Sequence, residues 1–122
     1  MNESSERIDF AVLSSIRMLR REGKPDPLEK IVTLFGEHSL RLLESMKNAV
    51  SQGEAQLVRE TAHSLKSSSG NVGAVKLSSL CKEMEEAGRK ANIDAAMGLL
   101  PQIQEEYERA KEALEQYVKD HP

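Results

Sequence analysis

The sequence holds a single cysteine, no tryptophan, two phenylalanines and two tyrosines. One cysteine rules out an internal disulfide framework and fits a reducing compartment. So few aromatic rings disfavour a base-stacking platform for nucleic acid. A net charge of −3, from 17 basic and 20 acidic side chains, leaves no basic footprint for DNA or RNA. No apolar run approaches the roughly 20 residues that cross a bilayer, and no signal-peptide core precedes the first polar residues. A cytoplasmic domain is expected. The histidines also lack metal spacing: His38 and His121 share none with His63 or Cys81, so no metal site is expected.

What remains is a helical composition. Alternating strand patterns and internal repeats are absent, and apolar residues make up 39% of the 122. With so little aromatic volume, the core falls to Leu, Ile, Val, Met and Ala. One domain over residues 1–122 is expected, its core spanning about 10–118, with residues 1–8 frayed. Asp9 can cap a helix from Phe10 to about Arg21, which Gly23 and Pro25 end. Asp26 before Pro27 predicts the next start, and Leu28, Ile31, Phe35, Leu42, Met46 and Ala49 give that helix its inner stripe to about Val50. Ser51-Gln52-Gly53-Glu54 reads as a capping box for a third helix that Gly73 closes. A fourth is expected over 74–90, burying Leu77, Leu80, Cys81, Met84 and Ala87. A fifth runs over 92–119, where Pro101 should kink or split it near Leu100, and its glutamates form a solvated face. The simplest arrangement is all-α, an antiparallel four-helix bundle with an additional short N-terminal helix.

The third helix carries the unusual segment, Ala62 to Gly73. On a wheel of about 100° per residue, Gln56, Arg59, Glu60, Lys66, Ser67 and Gly70 share the stripe of His63. Leu57, Val58, Thr61, Ala62, Leu65, Ser68, Ser69 and Val72 gather on the opposite arc. His63 should therefore face outward. Three serines and a glycine weaken such a helix by roughly 2–3 kcal/mol against alanine. Ser68 and Ser69 would let a neighbouring helix approach, their hydroxyls bonding back to carbonyls a turn earlier. Ser67 and Gly70 would leave the imidazole uncrowded, so that another protein's surface can reach it.

A lone histidine on a polar helix face is ordinarily an inert surface residue, and a lone lysine a solvated one. Their conjunction is more specific. A neutral imidazole nitrogen is a competent nucleophile near pH 7. Lys66, one turn on, can neutralise the oxygens of a phosphoryl group gained by His63. Nothing in the chain holds the metal such a transfer commonly uses, and no nucleotide-binding glycine loop is present. The segment 52–76 carries +1 against −4 over 77–122, a slight preference for an acidic partner at the His63 end.

The run Ala62-His63-Ser64-Leu65-Lys66-Ser67-Ser68-Ser69 through Gly73-Ala74 resembles the signature of histidine-containing phosphotransfer domains, as do the helix order and Leu77–Glu85. Where the family commonly has glycine four residues after the histidine, this chain has Ser67. The resemblance implies that His63 is phosphorylated, that Lys66 is the adjacent cation, and that Ser67 and Gly70 are the small positions giving access. It implies a phosphorelay intermediate without autokinase activity, taking the group from one receiver-domain aspartate and passing it to another. Its partners would be response-regulator receivers and a hybrid sensor histidine kinase, with no cofactor of its own and magnesium on the receiver. Neither nucleic acid nor membrane insertion belongs to this reading, and a monomer is expected. The competing expectation is a non-catalytic helical adaptor whose small-residue patch docks a partner. A phosphatase with a covalent histidine ranks last, because a convex helix offers no pocket to exclude water.

Overall fold

A computed structural model describes residues 7–122. Five helices carry them: α1 Phe10–Arg17, α2 Pro27–Gln52, α3 Ala55–Asn71, α4 Val75–Arg89 and α5 Ile93–Asp120. No strand occurs among the described residues. Contacts run α2 to α3, α3 to α4, α4 to α5 and α5 back to α2, closing a ring of four with α1 laid on α2. Connections of two or three residues join α2 through α5, which forces consecutive neighbours to run antiparallel.

The boundaries follow local chemistry. Asp26 is itself extended and accepts from Leu28 N at 3.0 Å, with Pro27 as first helical residue. The same carboxylate takes Arg17 at 2.8 Å, which closes the loop after α1. α1 ends at Arg17 rather than Arg21, since the residues beyond it have nothing apolar to cover. Met18 and Leu19 point into solvent there.

Ser51-Gln52-Gly53-Glu54 is a helix end, not a capping box. Ser51 and Gln52 continue α2, and Gly53 takes the left-handed conformation (φ 68°) that stops it. Glu54 then precedes α3 without any side-chain cap bond. Gly73 does close α3: its φ is 76°, and Ala74 N reaches back to Ser69 O at 2.8 Å. A side chain there would also meet Asp9 O at 2.7 Å, where Asp9 N donates to Gly73 O.

Leu28, Phe35, Met46 and Ala49 of α2 are buried as expected, with Ile31 and Leu42 half-buried. Val32 and Leu43 are buried as well, so the inner stripe is broader than the spacing predicts. On α4, Leu77, Cys81, Met84 and Ala87 are buried and Leu80 half-buried. α5 passes through Pro101 without splitting. Pro101 is exposed, and Gln102 donates its side-chain amide to Gly98 O at 3.1 Å in the turn before it.

Two further expectations give way. Of the segment expected to fray, residues 1–6 lie outside the described residues, but Arg7 and Ile8 are buried. The glutamates of α5 do not all face water either: Glu106 is buried, bonded to Arg7 Nε at 2.8 Å, with Lys76 Nζ 3.7 Å away. A buried charge persists when paired, and this pair ties the N-terminal segment to α5.

Candidate functional site

α3 holds its polar stripe outward because the other arc packs. Val58, Thr61, Ala62, Leu65 and Ser69 are buried against the bundle. The small inner residues do admit α4 closely, though their hydroxyls do not bond back. Ser69 Oγ has no hydrogen-bond partner among the described residues, and it is Thr61 Oγ1 that reaches Leu57 O at 2.9 Å and Val58 O at 3.2 Å. The helices pack tightly at Gly88 of α4, where an added Cβ would sit 2.6 Å from Arg59 N. Near the other end, Ser78 Oγ donates to Lys66 O at 3.1 Å. The two helices are thus fixed against each other on both sides of His63.

His63 lies on this fixed surface with its side chain 62% exposed. Ser67 and Gly70 are exposed beside it, and a Cβ on Gly70 would meet only Ser78 Oγ, at 3.9 Å. Nothing crowds the ring from its own helix.

One residue reorganises the site. Glu85 of α4 accepts at Oε2 from His63 Nδ1 at 2.7 Å and at Oε1 from Lys66 Nζ at 2.5 Å. A single carboxylate therefore holds both side chains. Those bonds outweigh its partial burial, so the Lys66 ammonium foremost, and then His63, pull its carboxyl below the usual glutamate range. An ionised carboxylate has no proton to give. The Nδ1–Glu85 bond therefore requires the proton on Nδ1, and the free lone pair sits on Nε2. A hollow of about 350 Å³ opens here, lined by His63, Ser64, Arg59, Glu60 and Glu85.

Glu85 carried no local signal. It was visible only as a member of Leu77–Glu85, yet His63 and Glu85 lie equally far along the chain on either side of Ala74. Folding the α3–α4 hairpin about its Gly73 turn pairs them. Arg89, one turn beyond Glu85 on α4, is engaged by Glu86 on its own helix. Cys81 is core: burial pushes its thiol up to about 12, against a smaller opposing effect of Lys66. Among the described residues, no three His, Cys, Asp or Glu side chains converge as metal ligands.

This arrangement has relatives. Residues 30–113 match the family model described as Hpt domain. The chain belongs to the Hpt domain family. It is 28% identical over 105 residues to histidine-containing phosphotransfer protein 2 of Arabidopsis thaliana, covering 84% of this chain and 67% of that protein. The crystal structure of histidine-containing phosphotransfer protein B of Pseudomonas aeruginosa superposes with a TM-score of 0.85 at 30% identity, covering 95% of this chain and 97% of that one. That of MtHPt2 of Medicago truncatula gives 0.79 at 26% identity, with 95% and 84% covered. Histidine phosphotransfer within phosphorelays is accordingly the role of this Hpt domain.

The clamp gives Glu85 a testable effect on that chemistry. Were a phosphoryl group to load onto Nε2 while Nδ1 keeps its proton, the ring would become cationic, with the carboxylate 2.7 Å from that charge. Glu85→Gln keeps an acceptor but removes the charge. Acceptance of phosphate is expected to slow about tenfold, the effect of losing roughly 1.4 kcal/mol from the transition state, as quench-flow with a phosphorylated receiver would measure. The pH dependence has a fixed sign. Because folding lowers the Glu85 pKa, the clamp's stabilisation is present above the ordinary glutamate range and lost as pH falls through the lowered value.

Proposed function

We propose that His63 accepts a phosphoryl group on Nε2 from a receiver-domain aspartyl phosphate and returns it to the aspartate of another receiver. The Nε2 lone pair attacks phosphorus and the N–P bond forms as the acyl P–O bond breaks. The receiver carboxylate leaves with the electron pair. The Nδ1 proton stays in place, and Glu85 compensates the ring charge. Transfer onward is the same exchange in reverse. Lys66 assists by its charge, exchanging part of its bond to Glu85 for phosphoryl oxygens, while Ser67 and Gly70 leave room for the receiver's surface. The magnesium ion comes with the receiver, and the chain acts as a cytoplasmic monomer without autokinase activity.

The observation that carries this reading is an exposed imidazole whose Nδ1 is held by an ionised carboxylate. Its test is incubation with a phosphorylated receiver and magnesium, and separately with labelled ATP alone. Acid-labile, alkali-stable label from the receiver and none from ATP is the expected pair of results. A chain that binds the receiver but never takes label would be the helical adaptor instead.

A further inference from the structure

Lys66 does not line the hollow that His63 faces; the cation lining it is Arg59. We propose that Arg59 is a second phosphoryl-binding residue of the His63 site, an inference that rests on His63 being the phosphorylated residue.

Placement comes first. Arg59 and His63 are four residues apart on α3 and so share a face. Helical side chains lean toward the N-terminus, so the imidazole lies over the turn that begins at Arg59, while Lys66 approaches from the turn beyond. The Arg59 backbone is packed directly against Gly88 of α4, so the guanidinium springs from a fixed point. A planar fork of donors suits two oxygens of one phosphoryl group better than a single ammonium does.

Charge balance gives the second argument. The hollow already contains the carboxylates of Glu60 and Glu85. Lys66 is bonded to Glu85, and Glu60 takes only the neutral amide of Gln56, at 3.0 Å. A phosphoryl group brings between one and two further negative charges at neutral pH. Arg59 is half-buried and has no hydrogen-bond or ion-pair partner among the described residues. It is the one cation lining this hollow that can meet the incoming charge without leaving an existing bond.

The test uses the whole chain phosphorylated at His63 by a receiver that is then removed. Phosphorus NMR follows the titration of the phosphohistidine. A nearby cation favours the dianion, so Arg59→Ala should raise the phosphoryl pKa by roughly half a unit, the scale of a partly exposed pair. Arg59→Lys should restore most of it. Transfer to a second receiver should slow about threefold to tenfold in Arg59→Ala. In the unsubstituted chain, the Arg59 Nε–H resonance should move on phosphorylation, which needs no variant to fold. Unchanged titration in Arg59→Ala together with an unmoved resonance would overturn the role of Arg59 and leave the relay reading intact. A parent chain that takes no label overturns both.

Discussion

His63→Gln is expected to lose phosphoryl labelling down to the background seen without protein, while melting within about 0.5 kcal/mol of the parent as an exposed substitution. Glutamine retains a polar head of similar reach, and it can still donate an amide hydrogen to Glu85. What it lacks is a nucleophilic lone pair, because the amide nitrogen's is delocalised into its carbonyl. The variant therefore separates chemistry from packing. His38 and His121 serve as internal controls. His38 is exposed on α2, and His121 stacks on Tyr117 with centroids 4.1 Å apart. Neither has a carboxylate on its ring nitrogen among the described contacts. Label that survives in His63→Gln, mapped by peptide analysis to either of them, would remove His63 from the mechanism.

A second large effect lies far from the imidazole. Glu106→Ala should destabilise the fold by about 3 kcal/mol, because it strips a buried guanidinium of the carboxylate bonded to it. The Arg7 and Glu106 side chains are 8% and 4% exposed, so water cannot replace the lost partner. For a chain of this size the melting temperature should fall by roughly 10 °C. Replacing both residues together, Arg7→Met with Glu106→Leu, should recover most of the loss, since an apolar pair carries no desolvation penalty. Calorimetry of the two variants decides it. A double variant no more stable than Glu106→Ala would mean that the pair holds the N-terminal segment in a way packing cannot replace.

These two sites also mark what sequence could and could not disclose. The outward face of His63 was legible because it depends on periodicity within one helix, and periodicity is local. Asp26-Pro27 and Gly73 were legible for the same reason: each acts on backbone groups a few residues away. Glu85 was not, since its role exists only once α4 folds back on α3. The Arg7–Glu106 pair was still less so, as nothing near either residue signals a partner 99 positions away. Adjacent apolar residues at Ile31-Val32 and Leu42-Leu43 made the inner stripe of α2 ambiguous by one residue, and packing against α3 and α5 decided between them. Ser51-Gln52-Gly53-Glu54 satisfies the pattern of a beginning and of an ending. The left-handed conformation open to Gly53 selected the ending.

The burial of Cys81 has a practical side. With its sulfur enclosed and its thiol protonated throughout the neutral range, the native chain offers no competing target to thiol-directed dyes or spin labels. A cysteine introduced at an exposed apolar position such as Met97 would then carry the only reporter. Its signal would report on the chain in real time, with no native thiol to remove first.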